Sequence, residues 1–230
     1  MSLIFKNQSV SLLTTMEEHS LIDLQLKTPF CMVISGSTQC GKSTLVQKIL
    51  ERREELFDKP IHQIVYCYSL ELKIFSELQH KVPGIKFQHG LPTNIDDLNI
   101  GSSLLILDDL MQEISNSKEA IDLFTKSSHH QNISVIFITQ NFFFKNLRNL
   151  TTQCKYICIM KNPRENSHVK TISRQMNQGL KNPAFEQAYN HVMSVPYGHL
   201  FLDFDMNQID NYRIRTSVFP DPDDCIVFVS

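Results

Sequence analysis

The sequence predicts an α/β fold with a mainly parallel central sheet flanked by helices. Apolar runs of strand length alternate with helical patterns along the chain, which is typical of parallel β-α-β construction. A glycine-rich loop separates the first apolar run from the first helical pattern. With 230 residues, of which 42% are hydrophobic and 20% charged, the chain is long enough to bury a full core.

The glycine-rich loop follows the apolar run of residues 30–34 and reads Gly36-Ser37-Thr38-Gln39-Cys40-Gly41-Lys42-Ser43-Thr44. It matches the phosphate-binding pattern G-x-x-x-x-G-K-[ST] at every fixed position. In such a loop the glycines let backbone amides face the phosphates, Lys42 supplies a cation and Ser43 offers a hydroxyl to Mg²⁺. Leu45 and Ile49, four residues apart, predict a helix over residues 44–53 whose N-terminus favours phosphate. We therefore expect all nine loop residues to bind a nucleoside triphosphate.

Later apolar runs predict the remaining strands, at residues 63–68, 85–87, 104–107, 135–138 and 156–160. Helical spacing predicts short helices around residues 70–78 and 119–125. No linker rich in Gly, Pro or Ser divides this series. We therefore expect one main domain over residues 29–220, preceded by an N-terminal extension, residues 1–28, and followed by a C-terminal tail, residues 221–230.

Two acids, Asp108 and Asp109, end the apolar run at residues 104–107. In proteins with this phosphate loop, the first acid at such a strand end holds Mg²⁺ and the second polarises the attacking water. Asp108 is therefore predicted to share the metal with Ser43, and Asp109 to act as the base. A helix-capping pair after a core strand is the alternative. Asp109 is one methylene shorter than the Glu usually found there, and Glu113 is the next candidate base.

The following strand run ends in Thr139-Gln140-Asn141. The carboxyl ends of parallel strands form the crevice in which α/β sheets bind ligands. Gln140 is therefore predicted to hydrogen-bond the γ-phosphate or the attacking water, and the alternative is an ordinary turn residue at a strand end. The extra strand between the loop strand and the Asp108 strand is typical of motor-type ATPases.

Composition excludes several classes of protein. No apolar stretch approaches the roughly 18 residues of a membrane span, and the N-terminus lacks a signal-peptide pattern, so we expect an intracellular, reducing location. Cys154 and Cys158 fall on one predicted strand without a matching His pair, and they are interpreted as core residues rather than metal ligands. The adjacent His129 and His130 are interpreted as a helix-end or subunit-contact pair.

Charge is distributed unevenly along the chain. A net charge of −2 excludes a protein whose whole surface coats nucleic acid, yet residues 145–181 contain eight basic residues and one acid. Residues 142–148 combine three aromatic residues with two cations, as loops that track DNA do, so Lys145 and Arg148 are the predicted DNA contacts. A connector with solvated charges explains the same pattern. If the DNA contact lies elsewhere, the remaining candidates for it are Lys161, Arg164, Lys170 and Arg174.

These motifs together resemble a known family. The resemblance is carried by the phosphate loop, residues 105–111 with Asp108 and Asp109, residues 124–141 ending in Thr139-Gln140-Asn141, Lys161-Asn162-Pro163-Arg164, and residues 196–203 and 213–220. The chain is similar to the genome-packaging ATPases of Polinton (Maverick) elements and adintovirus-like viruses, which belong to the poxvirus-type branch of the FtsK-HerA superfamily. The similarity extends over nearly the whole chain.

The resemblance implies a P-loop NTPase fold of the ASCE, FtsK-HerA type. It implies an ATPase motor that uses ATP and Mg²⁺ to pump double-stranded DNA into a capsid. The implied partners are DNA, capsid-vertex or portal-like proteins and further copies of the chain in a ring. The implied location is the host nucleus, a cytoplasmic virus factory or the virion.

The resemblance also implies individual roles. Lys42 and Ser43 would bind phosphate and Mg²⁺, Asp108 would hold the metal, Asp109 would activate water and Gln140 would sense the γ-phosphate. An arginine expected before the Gln140 strand is missing from residues 127–131. Arg164 is the candidate for reaching a neighbouring subunit's nucleotide, with Lys126 and Arg148 as alternatives and a structural salt bridge as the other explanation.

Two further classes share parts of this pattern. A nucleotide or nucleoside kinase would have the same loop and metal acid, together with an Arg-rich lid. A structural virion protein would bind ATP without hydrolysing it.

Overall fold

The computed structural model describes residues 4–6, 24–71, 73–92, 101–117, 132–140, 153–162, 166–176, 182–219, 221 and 225–228. The chain divides into two compact units. The first unit is Gln25–Lys155, and the second unit combines Met1–Leu24 with Tyr156–Ser230. The helix predicted at residues 119–125 lies outside the described residues. The predicted extents of the extension, the main domain and the tail stay predictions.

The described residues form ten strands: β1 (Ile4–Lys6), β2 (Cys31–Ser35), β3 (Gln63–Tyr68), β4 (Ile85–His89), β5 (Ser103–Asp108), β6 (Ile133–Thr139), β7 (Tyr156–Met160), β8 (His199–Asp203), β9 (Ile214–Arg215) and β10 (Ile226–Phe228). Their α-helices are α1 (Lys42–Glu51), α2 (Arg53–Leu56), α3 (Ile74–Lys81), α4 (Met111–Asn116), α5 (Asn166–Met176) and α6 (Pro183–Ser194). Among these residues, no helix is both long and apolar enough to cross a bilayer.

The first unit contains a fully parallel sheet, which confirms the predicted α/β class. Its strand order is β2-β6-β5-β3-β4, and every neighbouring pair in this order is parallel. All residues of β2 and β6 are buried, as expected for strands covered on both faces. Because Ser35 is paired with Thr139, and Asp108 with Ile138, the carboxyl ends of β2, β6 and β5 lie side by side.

Helix α1 begins two residues earlier than predicted. Its cap is Gly41, whose φ of 102° lies in the left-handed region that glycine adopts without a Cβ clash. The amide of Leu45 donates the first helical bond to the Gly41 carbonyl at 2.9 Å, so Lys42 and Ser43 belong to the first turn. The apolar face predicted from the spacing is buried, with Leu45, Ile49 and their neighbours Val46 and Leu50 in the core.

The second unit has a different sheet. Its order is β1-β10-β9-β8-β7, with antiparallel pairing from β7 to β10 and parallel pairing of β1 with β10. The run predicted at residues 156–160 is therefore a strand with an antiparallel partner, β8. Helix α6 starts where Asn182 accepts a hydrogen bond from the Phe185 amide at 3.1 Å, with Pro183 at its first position.

A buried charge lies inside the second unit. Arg215 has no exposed surface, its Nη2 is 3.4 Å from Asp203 Oδ2, and its guanidinium carbon is 4.4 Å from the centre of the Phe201 ring. Its Nε and Nη1 have no hydrogen-bond partner among the described residues. Burial lowers the pKa of Arg215, and Asp203 opposes this shift. The negative charge of Asp203 therefore partly compensates a cation that water does not reach.

Removing the charge of Asp203 tests this compensation. We expect Asp203→Asn to lower the free energy of unfolding by about 3–5 kcal/mol, because the variant leaves a buried cation without its counter-ion. Urea unfolding followed by circular dichroism measures the loss. Asp210→Asn is the matched control, because Asp210 pairs with Arg213 at 2.7 Å on the surface, where a pair contributes at most about 1 kcal/mol. Equal losses in the two variants would contradict the interpretation.

Candidate nucleotide site

The phosphate loop leaves the carboxyl end of β2 and turns into α1. The amide of Gly36 donates to the Thr139 carbonyl at 3.2 Å, which ties the start of the loop to the end of β6. Gln39 has a φ of 64°, and together with Gly41 it bends the backbone through left-handed conformations. Lys42 Nζ donates to the carbonyl oxygens of Gly36 and Ser37, both at 2.8 Å. The loop thus holds its cation over its own backbone, beside the helix N-terminus.

The two acids and Gln140 reach the same edge of the sheet. The backbone pairing continues past the strand ends, since the Asp109 amide donates to the Ile138 carbonyl and the Ser69 amide to the Asp108 carbonyl, both at 3.2 Å. Asp109 adopts a φ of 56°, a left-handed conformation that Asp tolerates better than most residues. The two consecutive carboxylates therefore have different surroundings. Asp109 is exposed, whereas Asp108 is mostly covered.

One cavity of about 380 Å³ joins these elements, and it is lined by Thr38, Gln39, Lys42, Ser43, Ser69, Leu70, Asp108, Asp109, Ile138, Thr139 and Gln140. The structure therefore brings together Lys42, Ser43, Asp108, Asp109 and Gln140, as the sequence predicted. A pocket of this size lies within the range of small-molecule sites.

Gln140 connects the loop to Asp109. Its Nε2 donates to Asp109 Oδ2 at 3.1 Å, and its Oε1 accepts from the Thr38 hydroxyl at 3.0 Å. The amide therefore uses one end on the phosphate loop and the other on the predicted base. Thr38 was predicted as a phosphate-binding loop residue, and its bond to Gln140 is an additional finding.

Tyr66 is the site residue that the sequence reasoning missed. Its hydroxyl donates to Asp108 Oδ2 at 2.7 Å, from a side chain that is 1% exposed. Burial raises the pKa of Asp108; the hydrogen bond from Tyr66 and the charge of Lys42 lower it, whereas the neighbouring Asp109 raises it. The signal in the sequence was a tyrosine inside an apolar strand, whose hydroxyl needs a partner when it is buried.

The residues at this edge fit Mg²⁺. The Ser43 hydroxyl and the Asp108 carboxylate line one cavity, and both are hard oxygen donors of the kind that this ion prefers. A cation there would favour the charged form of Asp108, which burial disfavours. The described residues contain no cluster of three or more His, Cys, Asp or Glu side chains able to hold a metal. Mg²⁺ needs no such cluster, since it is commonly bound by one or two protein oxygens plus substrate phosphates.

The remaining predicted positions fall into two groups. Arg164, Lys145, Arg148, Lys126, His129 and His130 lie outside the described residues, so their roles stay predictions. Lys161, Lys170 and Arg174 are described and exposed. Cys158 is buried on β7. The placement of Cys154 on the same strand was wrong: it precedes β7, and its Sγ lies 2.9 Å from Cys31 Sγ. Lys155 anchors this turn by donating to the carbonyl oxygens of Lys27 and Pro29.

Fold and site together define a P-loop NTPase fold. No protein-family model and no curated protein matches the chain, but solved structures do. The chain is similar to the genome packaging NTPase of Sulfolobus turreted icosahedral virus 2 in complex with AMP, with a TM-score of 0.52 and 17% identity over 84% of this chain and 98% of the other. In its complex with ATP-gammaS, the same NTPase matches with a TM-score of 0.50 and 15% identity, over 78% of this chain and 94% of the other.

A bacterial secretion ATPase shares the fold over a part of its length. The chain matches the cytoplasmic domain of the Type VII secretion ATPase EccC from Thermomonospora curvata with a TM-score of 0.50 and 11% identity, over 78% of this chain and 24% of the other. At these identities the likeness establishes the fold.

The thiol of Cys40 gives a chemical test of the site. Cys40 is the one cysteine of six that is not buried, and burial raises its pKa above that of an ordinary thiol. We expect N-ethylmaleimide to label Cys40 selectively in the folded protein, faster as the pH rises toward this pKa because the thiolate reacts. Mg²⁺ and ATP should slow the labelling by covering the loop. Mass spectrometry of the labelled peptide measures both effects, with Cys40→Ser as the control; unprotected labelling at saturating ATP would contradict the assignment.

Proposed function

We propose that this protein is an ATP-driven motor that packages double-stranded viral DNA into a capsid, of the type found in Polinton elements and adintovirus-like viruses. The observation that carries the proposal is the convergence of the phosphate loop, Asp108, Asp109 and Gln140 on one cavity. The solved viral packaging NTPase supports it further, because the match extends over 98% of that chain. The proposed location is the host nucleus or a cytoplasmic virus factory, with the assembled virion as an alternative.

The proposed reaction is hydrolysis of the terminal phosphate of ATP. Lys42 and the loop amides bind the phosphates; Ser43 and Asp108 would hold Mg²⁺, which would supply positive charge beside the phosphate oxygens. The oxygen of a water molecule bonds to the γ-phosphorus, and Asp109 accepts the proton that this water loses. The bond from this phosphorus to the bridging oxygen breaks, which yields ADP and inorganic phosphate. Asp109 is exposed to the cavity and oriented through Oδ2 by Gln140, so its other oxygen is the one available to water.

The bond between Thr38 and Gln140 provides a route by which nucleotide state reaches other parts of the chain. A γ-phosphate in the loop competes for the same Thr38 and Gln140 groups that now bond to each other at 3.0 Å. Gln140 also bonds to Asp109, so a change at the phosphate alters the position of the base. Residue 140 directly precedes the segment that carries Lys145 and Arg148, our proposed DNA contacts. A motor needs such coupling between hydrolysis and its grip on DNA.

The proposed partners follow from charge. A ring of several copies needs a few cations per subunit facing DNA, which is compatible with a net charge of −2. Lys145 and Arg148 are proposed to contact the phosphate backbone, and Arg164 to reach the nucleotide of a neighbouring copy. Capsid-vertex or portal-like proteins are the proposed docking partners of the ring. Binding of this kind is independent of DNA sequence and sensitive to salt.

Steady-state ATP hydrolysis with and without double-stranded DNA tests the proposal. We expect Mg²⁺-dependent hydrolysis that DNA stimulates. Asp109→Asn should lose at least about a hundredfold in rate because it removes the base, while nucleotide stays bound. Glu113→Gln is the control, because Glu113 is an exposed acid on α4 that does not line the cavity. Full activity in Asp109→Asn together with loss in Glu113→Gln would move the base role to Glu113.

The DNA arm of the same experiment separates the alternatives. The double variant Lys145→Ala, Arg148→Ala should keep basal hydrolysis and lose its stimulation by DNA. Hydrolysis that responds to a nucleoside or nucleotide acceptor instead of DNA would indicate a kinase. Tight ATP binding without turnover would indicate a structural protein.

A further inference from the structure

Tyr66 lies where a side chain from β3 can reach the predicted metal ligand on β5. In the parallel register Tyr66 is opposite Ile106, and Asp108 is two residues further along β5. Residues two apart on a strand share one face of the sheet. The tyrosine therefore approaches Asp108 diagonally, and its hydroxyl closes to 2.7 Å from Oδ2.

We propose that Tyr66 is a positioning residue for the metal carboxylate: it binds Oδ2 of Asp108 and so leaves the other oxygen to a divalent cation in the nucleotide cavity. The inference rests on the proposed function, since it gives the metal role of Asp108 a supporting residue. Partners of metal ligands commonly fix the ligand's orientation and tune its basicity.

The ring of Tyr66 is held by an aromatic cluster, which we define as Tyr66, Tyr68, Phe75 and Phe87. The Tyr66 ring centre is 5.1 Å from that of Phe75 and 5.8 Å from that of Phe87, and the latter two stack at 4.6 Å. Phe75 belongs to α3 and Phe87 to β4, so three elements fix one ring. Because the ring cannot swing, the hydroxyl restrains the carboxylate to one rotamer.

A neutral donor suits this position better than a cation would. A lysine or arginine in the place of Tyr66 would neutralise the Asp108 carboxylate and compete with Mg²⁺ for it. The tyrosine donates one hydrogen bond and leaves the negative charge available. Burial and the neighbouring Asp108 anion both raise the pKa of Tyr66 far above its usual value, so the hydroxyl stays protonated and acts as a permanent donor.

The test compares Tyr66→Phe with Tyr68→Phe. Tyr68 belongs to the same strand and the same cluster, with its ring centre 4.8 Å from that of Phe75, but the bond to Asp108 comes from Tyr66. Each variant removes one hydroxyl and keeps the ring. Electron paramagnetic resonance with Mn²⁺ as the probe, in the presence of a non-hydrolysable ATP analogue, measures the metal affinity without requiring turnover. The spectrum of the bound Mn²⁺ is recorded for each protein, and thermal unfolding checks that both variants fold.

We expect Tyr66→Phe to bind Mn²⁺ about tenfold more weakly, while Tyr68→Phe binds it like the parent. Without the Tyr66 bond the Asp108 carboxylate can turn, so the electron paramagnetic resonance spectrum of the bound Mn²⁺ should also change in Tyr66→Phe alone. Unchanged affinity and an unchanged Mn²⁺ spectrum in a folded Tyr66→Phe would overturn the proposal, and so would equal losses in both variants, which would indicate loosening of the cluster. A parent that binds Mn²⁺ and the analogue but never hydrolyses ATP would refute the motor and leave the role of Tyr66 intact.

Discussion

The parallel register of β2, β6 and β5 is the constraint on which the site depends. Ser35 is paired with Thr139, and Asp108 with Ile138. Because the three strands are parallel, their carboxyl ends lie at one edge of the sheet. The phosphate loop, the two acids and Gln140 follow these ends directly. A register slip of one residue would turn every side chain of a strand to the opposite face, so the geometry of the site depends on this register.

At this edge, the placement of the two acids supports a different proposed role for each. Asp108 is largely covered and accepts a hydrogen bond from Tyr66. This placement suits its proposed role as a ligand of a cation. Asp109 follows in a left-handed turn, reaches solvent and bonds to Gln140, which is the placement that our proposed base requires. Two consecutive residues of the same type thus acquire different chemistry from burial and from their partners.

Local patterns predicted the first unit well and left its cross-strand contacts unpredicted. The loop spacing and the apolar runs located β2, β5, β6 and α1, because each signal lies within a few consecutive residues. Tyr66 was missed because its partner is 42 positions away, and the local pattern shows only that a buried hydroxyl needs a partner, without identifying it. The buried position of Arg215 against Asp203 and Phe201 was not predicted either, because both partners lie 12 or more residues away in the chain. Antiparallel pairing of β7 depends on β8, some 40 residues later, so its neighbour could not be read from its own sequence.

Calorimetric titration of a non-hydrolysable ATP analogue, with and without Mg²⁺, tests most directly whether this sheet edge is a nucleotide site. The parent should bind one analogue molecule, more tightly when Mg²⁺ is present. Lys42→Ala should fold normally and bind at least about tenfold more weakly, a loss of about 1.4 kcal/mol, because it removes a charge-assisted contact to phosphate. Equal affinity in the parent and in Lys42→Ala, or no effect of Mg²⁺ on either, would contradict the assignment of the site.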